Sequence, residues 1–422
     1  MKPKLFAFCV IVLTVLTTLG WSEVNVPQST FFYWLFSFAA LYFVFRAAPN
    51  TYTLLEKFDR RLLVVYLVWL AIGVVRGIFI AENYWEWKAL ISTTTTLLLP
   101  ALAYVFVHPI LVRHTFGPWF KWMTPLFFIL FVWIVRTAAW HFCFMPFFVF
   151  GILLPWIPRP WRWAFVVIVG MALFIAIDAR SQVVKAALMY LLAIGFYLRK
   201  IIPMWLLKLG MWVCFIFPVV FLWLGLSGTY NIFADNEVTN QGKIVSERVV
   251  DGELKEEDAA SDTRSFLYEE IVTSALRHDY VLFGRSPARG NDSEYFGEYN
   301  AEELQTGKYE RQRNEFVFPD VFTWLGLVGM VMYILFYLRA AWLAIYRSHS
   351  KAMKFVGIFI AFHWLYGWVE DWNAFDIGNL TLWAAICIGL SKEFRSLTDE
   401  QMRAWLRSLF VKRRKYGAGR HM

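Results

Sequence analysis

Long apolar blocks alternate with short polar connections along almost the whole chain. A block of about 20 apolar residues is what it takes to cross ~30 Å of hydrocarbon. The pattern predicts twelve such spans, at 5–22, 30–46, 62–80, 89–107, 119–138, 141–157, 162–178, 182–198, 202–226, 318–346, 353–369 and 375–391. Pro155, Pro158 and Pro160 punctuate a tight connection between the sixth and seventh, and Arg199 with Lys200 ends the eighth. One stretch breaks the alternation. From Ser227 to Val317 the chain is mostly polar, a connection long enough to be functional or unstructured. Its first part, EVTNQGKIVSERVVDGELKEEDAASD, is polar throughout and is expected to be flexible. Its second part predicts a helix. Asp262 or Thr263 can cap it, and Phe266, Leu267, Ile271, Ala275 and Leu276 recur at helical spacing. Such a helix is expected to lie on the membrane surface or to pack over the spans.

The expected fold is an all-α polytopic membrane protein. Spans one to nine fill 1–226, a large and partly helical periplasmic loop fills 227–317, spans ten to twelve fill 318–391, and 392–422 is a basic cytoplasmic tail. Composition agrees: 59% of the 422 residues are hydrophobic and only 17% are charged, against about a quarter charged in soluble domains. The basic Met1 to Lys4 and the apolar run to Leu19 invite a signal-peptide reading. No clear small-residue cleavage site follows, so an uncleaved first helix is expected. Cys9, Cys143, Cys214 and Cys387 all lie inside apolar blocks, which suits packing better than a disulfide framework or a metal site.

Charge then orients the spans. With twelve of them, the connections carrying Lys2 and Lys4, Lys57 to Arg61, Arg113 and Lys121, Arg159 and Arg162, Arg199 and Lys200, and Arg347 to Lys354 fall on one side, as does KRRK at 412–415. Basic connections mark the cytoplasmic side, so both termini are expected there. The long loop holds ten Lys and Arg against nineteen Asp and Glu, a formal charge of −9, which leaves +18 for the rest of a chain whose total is +9. The basic pI therefore reflects an inner side facing anionic lipid. It does not argue for nucleic acid, since no basic, aromatic-interleaved soluble module is present.

Against that bias, several arginines fall on the outer side. Arg76 lies near the outer end of the third span and Arg136 near that of the fifth. Arg180 sits in DARSQVVK between the seventh and eighth, and Arg264, Arg277, Arg285, Arg289, Arg311 and Arg313 lie in the loop. A guanidinium binds phosphate oxygens through a planar, permanently charged fork. Such a cluster at headgroup depth suits a lipid-linked pyrophosphate. The competing reading is that each arginine pairs with a loop acid or snorkels to headgroups. Glu315 and Asp320, near the start of the tenth span, and Asp178, two residues before Arg180, are candidate bases for a hydroxyl. The plainer readings are ion pairing for Asp178 and helix capping for Asp320. NYWEW at 83–87 and EDWNAFD at 370–376 place aromatics on the same side, for sugar stacking or simply as interface residues. No Asp-x-Asp or histidine cluster has metal-ligand spacing there, so neither metal nor cofactor is expected.

Three passages together resemble the O-antigen polymerase/ligase superfamily, over roughly the last 250 residues. IAIDARSQVVKAALMYLLAIGFYL (175–198) resembles the family's Ser-Arg-rich start of a span, with Arg180 at the arginine. TRSFLYEEIVTSALRHDYVLFGRSP (263–287) resembles its loop helix and turn, with Arg264 and Gly284 at the matching positions. RNEFVFPDVFTWLGLVGMVMYILF (313–336) resembles the end of the loop joining the next span, through Gly326 to Gly329. The resemblance implies glycosyl transfer outside the cytoplasmic membrane. The donor is a glycan on undecaprenyl pyrophosphate and the acceptor a sugar hydroxyl of a second lipid-linked repeat unit. Arg180 and Arg264, then Arg313 and Arg136, would neutralise the leaving pyrophosphate. Arg76, Arg285, Arg289 and Asp178 would bind substrate, and Glu315 or Asp320 would serve the acceptor. A flippase and a chain-length regulator would be partners, beside membrane lipids. The chain departs from the family's ligases, which carry a histidine shortly before the Gly-Leu-Ile-Gly turn; none lies between His278 and Gly329. A polymerase is therefore expected ahead of a ligase acting on a lipid A core. A transporter or flippase is a further alternative, against which stand the acidic loop and the lack of an internal repeat. A non-catalytic assembly factor is the last.

Overall fold

The computed structural model of the chain describes residues 2–22, 29–135, 140–174, 180–226, 245–250, 253–258, 263–293, 296–370 and 373–411. For 141–142, 180–182, 222, 225–226, 245–250, 253–258 and 263–266 only the backbone path is described. The fold is helical almost throughout. In chain order the helices are α1 (Pro3–Leu19), α2 (Ser29–Thr51), α3 (Lys57–Ile80), α4 (Tyr84–Leu97), α5 (Ala103–Phe106), α6 (Pro109–Leu126), α7 (Val132–Ile134), α8 (His141–Gly151), α9 (Arg159–Phe174), α10 (Arg180–Tyr197) and α11 (Met204–Leu226). After the long polar stretch come α12 (Thr263–Arg277), α13 (Val317–Tyr346), α14 (Lys351–Tyr366), α15 (Ile377–Leu390), α16 (Lys392–Ser396) and α17 (Asp399–Ser408). Among the described residues, helix occurs within each of the twelve expected blocks, and six helical stretches are long and apolar enough to cross a membrane: Ser29–Leu54, Lys57–Ile80, Tyr84–Phe106, Pro109–Ile134, Met204–Phe221 and Val317–Tyr346. In hydrocarbon only a structure that bonds its own backbone is viable, and an apolar helix does so.

Boundaries move where capping chemistry decides them. The fourth block starts at Tyr84, because Asn83 accepts hydrogen bonds from the backbone N–H of Trp85 and Glu86. The fifth starts at Pro109, with proline in the first turn and the His108 ring accepting from the Ile110 N–H. Inside the bundle, Phe116, Phe120, Phe127, Phe144, Phe147, Phe150 and Phe165 pack in edge-on and tilted pairs. After the last apolar helix, residues 392–408 form α16 and α17. α17 carries a capping box between Thr398 and Gln401, and Trp405 and Arg407 donate to the carbonyls of Pro109 and Trp156.

The long connection differs from expectation in two respects. Its polar first part contains an antiparallel strand pair, β1 (Val245–Val250) with β2 (Glu253–Asp258). Its helix, α12, does start at Thr263, and it packs over the spans. Leu267, Ile271, Ser274 and Ala275 are buried, but Leu276 is 69% exposed and does not belong to the inner stripe. The Tyr268 ring stacks on Phe316 at 5.1 Å, and its hydroxyl donates to the Trp368 carbonyl. Two short strands, β3 (Asn291–Asp292) and β4 (Glu310–Arg311), pair across the rest of the loop.

The feature that places the loop is a break in α13. Gly326 has φ 69° and ψ −175°, a region open essentially to glycine alone. The break frees the N–H groups of Leu327 and Val328 and the carbonyl of Thr323. The loop turn 281–285 takes up all three: Leu327 N–H donates to Val281 (2.8 Å), Val328 N–H to Leu282 (3.4 Å), and Arg285 N–H to Thr323 (2.7 Å). Gly284, itself at φ 73°, lies directly against Gly326. A Cβ at Gly326 would sit 2.3 Å from the Leu282 oxygen, and one at Gly284 would sit 2.4 Å from the Gly326 nitrogen. Gly284→Ala and Gly326→Ala are each expected to lower the thermal midpoint of the detergent-purified protein sharply, by about 2 kcal/mol of strain plus displacement of the turn. Gly307→Ala, at φ 65° but with open space around it, is expected to cost only the ~1–2 kcal/mol of strain. Equal losses at all three positions would show that the glycine contact does not hold the loop.

Candidate functional site

Nearly every loop cation whose side chain is described has a carboxylate. Arg277 Nη1 lies 3.3 Å from Asp292 Oδ2, and His278 Nε2 lies 2.7 Å from the same oxygen. Arg285 reaches Asp292 Oδ1 at 2.7 Å and Glu310 Oε1 at 3.0 Å. Arg289 grips Glu310 through Nε (2.8 Å) and Nη2. Lys308 Nζ bridges Glu82 Oε2 at 2.7 Å and Glu86 Oε1 at 2.5 Å. Glu86 and Glu310 are buried, and a buried carboxylate is tolerated only when paired. The network therefore ties the loop to the start of α4. Burial pushes the Asp292 carboxyl up, but hydrogen bonds from Arg285 and His278 outweigh it and hold the group below its usual range. The Glu310 hydrogen bonds raise Arg289 further above its usual value.

Arg313 is the exception. Among the described residues no carboxylate lies within ion-pair distance of its guanidinium, which donates one hydrogen bond, from Nη2 to Ser92 Oγ at 3.2 Å. Burial pushes its pKa down, and Tyr33, Asp320 and Asp376 offset this only at longer range. A guanidinium remains charged in such surroundings. A desolvated cation without a counter-ion is a place where an anion is stabilised.

Directly beneath it lies a buried polar cluster. Asp320 is 1% exposed. Its Oδ1 accepts from the N–H (2.8 Å) and Nδ2 (3.1 Å) of Asn314, and its Oδ2 accepts from Asn373 Nδ2 at 3.2 Å. Asn314 Nδ2 also reaches Asn291 Oδ1 at 2.8 Å, while its own Oδ1 has no partner. Asp320 thus does not cap α13, whose N-cap is Phe316. It staples the residue following Arg313 to the loop before α15.

The remaining expected residues separate. Glu315 points outward with its side chain 54% exposed, 3.5 Å from Arg311. Arg76 donates to the carbonyls of Phe283 (2.9 Å) and Gly284 (3.1 Å), away from Arg313 in partnership. Arg285 and Arg289 sit in the carboxylate network described above. Arg180 and Arg264 open α10 and α12, but their side chains lie outside the described residues, as do Arg136 and Asp178 entirely. Sequence reasoning offers Asn314 beside Arg313, Glu315 and Asp320 in place of the family's histidine but gives it no role, and it missed Asn373, whose signal is polarity alone. It also missed Lys185, a buried cation in an apolar helix with Nζ 5.4 Å from the Tyr366 ring centre; a charge inside such a helix is itself a signal. Among the described residues no group of three His, Cys, Asp or Glu is placed to hold a metal ion.

Two acids of the loop are expected to behave in opposite ways. Glu310→Gln leaves Arg285 and Arg289 without their shared partner and is expected to cost about 3–5 kcal/mol, with faster hydrogen exchange across 281–293. Glu315→Gln, at an exposed pair, is expected to change stability by less than ~1 kcal/mol. No model of a known protein family, no curated protein and no solved structure matches this chain.

Proposed function

We propose that this chain is a membrane glycosyltransferase that polymerises undecaprenyl-pyrophosphate-linked oligosaccharide repeat units, as its resemblance to the O-antigen polymerase/ligase superfamily implies. In this reading it crosses the bacterial cytoplasmic membrane twelve times, keeps both termini in the cytoplasm and works on the periplasmic face. The observation that carries the reading is Arg313. Among the loop cations whose side chains are described, it has no carboxylate partner where the others do, and it lies where the loop meets α2, α4 and α13. The reaction needs a fixed positive charge against the leaving pyrophosphate and otherwise little from the protein, because the pyrophosphate departs readily once neutralised. Arg313 supplies such a charge, and Arg180 and Arg264 are assigned the same role from the family motifs. Asp320, through Asn314, holds the backbone beside Arg313 and supports this site from below. Ser92 orients the guanidinium. Donor and acceptor are both lipid-linked glycans, and a flippase and a chain-length regulator are the expected partners.

A transporter is the one alternative that a specific observation favours, because discontinuous helices mark many transporter sites. In such sites the freed backbone groups face a ligand. At Gly326 they are occupied by residues 281–285 of the same chain, which weighs for the transferase.

The test is reconstitution with a purified lipid-linked oligosaccharide. Arg313→Ala is expected to lower the elongation rate by about 100-fold or more, the usual cost of losing one such electrostatic contact, at unchanged protein level. Arg313→Lys should recover part of it, since a point charge replaces a fork. A chelator should have little effect. Undiminished elongation in Arg313→Ala, Arg180→Ala and Arg264→Ala would overturn the reading, and so would transport of the substrate without any glycan growth.

A further inference from the structure

The turn 281–284 has a surface unlike that of a water-exposed loop. Leu282 is 53% exposed and Phe283 is 57% exposed. Isolated apolar residues on a surface need no explanation, but these two extend a continuous strip. On α3, the exposed Val65, Val68, Ile72, Val75 and Phe79 fall on one helical face. On α13, just past the break, Leu327, Val328 and Val331 are exposed as well. The turn lies between these two helices. Phe283 stacks on Trp69 of α3 at 5.7 Å, and Ser286 Oγ comes within 2.9 Å of where a Cβ would stand on Gly77. The chain therefore descends along α3 as far as Trp69. That residue lies eleven positions before Ile80, where α3 ends, which is about 16 Å along the helix axis.

The backbone of the turn is accounted for in the same sense. The carbonyl of Val281 accepts from Leu327 N–H, that of Leu282 from Val328 N–H, and those of Phe283 and Gly284 from the two Nη atoms of Arg76. All four consecutive carbonyls are bonded by protein. A turn in water has no need of this, because solvent serves its carbonyls. In hydrocarbon each unbonded carbonyl costs several kcal/mol. No residue of the turn itself carries a charge; the cations beside it are Arg76, spent on the Phe283 and Gly284 carbonyls, and Arg285, neutralised by Asp292 and Glu310.

We infer that residues 281–284 form a re-entrant wedge embedded in the lipid leaflet on the loop-bearing side, with Leu282 and Phe283 in contact with acyl chains. The wedge is anchored by Arg76 and the break at Gly326. It is independent of the glycosyltransferase reading, since it concerns where the loop sits and not what it transforms.

The test uses the full chain in vesicles of phosphatidylethanolamine and phosphatidylglycerol, with Cys214, the one cysteine that is not buried, changed to serine. Leu282→Cys is labelled with an environment-sensitive fluorophore. Phe79→Cys is the lipid-facing reference, and Tyr309→Cys, exposed on the same loop, is the aqueous one. The label at 282 is expected to match 79: quenched severalfold more by spin-labelled lipid than the label at 309, and shielded from iodide. A label at 282 that iodide quenches as readily as at 309 overturns the wedge. Where the substituted protein fails to fold, the unmodified chain is irradiated with a photoactivatable lipid. Acyl-chain adducts at Leu282 or Phe283 support the wedge, and adducts on the α3 strip with none on 281–284 overturn it.

Discussion

The architecture turns on a contact between two backbones with no side chain between them. Gly284 of the loop and Gly326 of α13 approach so closely that a Cβ on either would overlap the other segment. The contact exists because α13 is interrupted, and the interruption is tolerable because the loop turn supplies the missing hydrogen-bond partners. Each half explains the other. From this contact the rest of the loop side follows. Arg76 and Trp69 of α3 grip the turn and the end of the first half-helix, at Phe283, Gly284 and Leu325. Arg285 is thereby held beside Asp292 and Glu310. The loop then returns through Arg313 and Asn314 into the first turn of α13.

Electrostatics divides the loop into a scaffold and a vacancy of charge. Four cations, Arg277, Arg285, Arg289 and Lys308, are matched by four carboxylates, Asp292, Glu310, Glu82 and Glu86. Pairs of this kind hold a loop in register. They are poor phosphate ligands, because an incoming anion must first displace a carboxylate. Arg313 has no such competitor among the described residues. Its neighbours are neutral hydrogen-bonding groups and acids at longer range, an arrangement that keeps a guanidinium charged and unsatisfied at once.

Local features of this fold were legible in the sequence and long-range ones were not. The apolar blocks, the start of α12 at Thr263 and the proline-rich connection before α9 follow from residue spacing and capping. The pairing of β1 with β2 was not legible, because a stretch that is polar throughout shows no alternation of apolar and polar faces. Leu276 continues the apolar spacing of α12, yet the buried stripe ends at Ala275. The role of Asp320 could not be read, because its partners Asn314 and Asn373 are separated by fifty-nine residues of sequence. The same limit applies to the arginines. Sequence shows that nineteen acids share the loop with ten bases, but only the fold decides which acid meets which base, and so which arginine is left over.

The broken helix also constrains how the chain is made. Residues 281–285 leave the ribosome about forty residues before the stretch they bond to, 323–328. When the turn first forms it has no partner, and when α13 is first inserted its backbone at Gly326 is unbonded. Neither can reach its final state until both have been delivered to the same side of the bundle. The contact can therefore be made only once α13 has been synthesised.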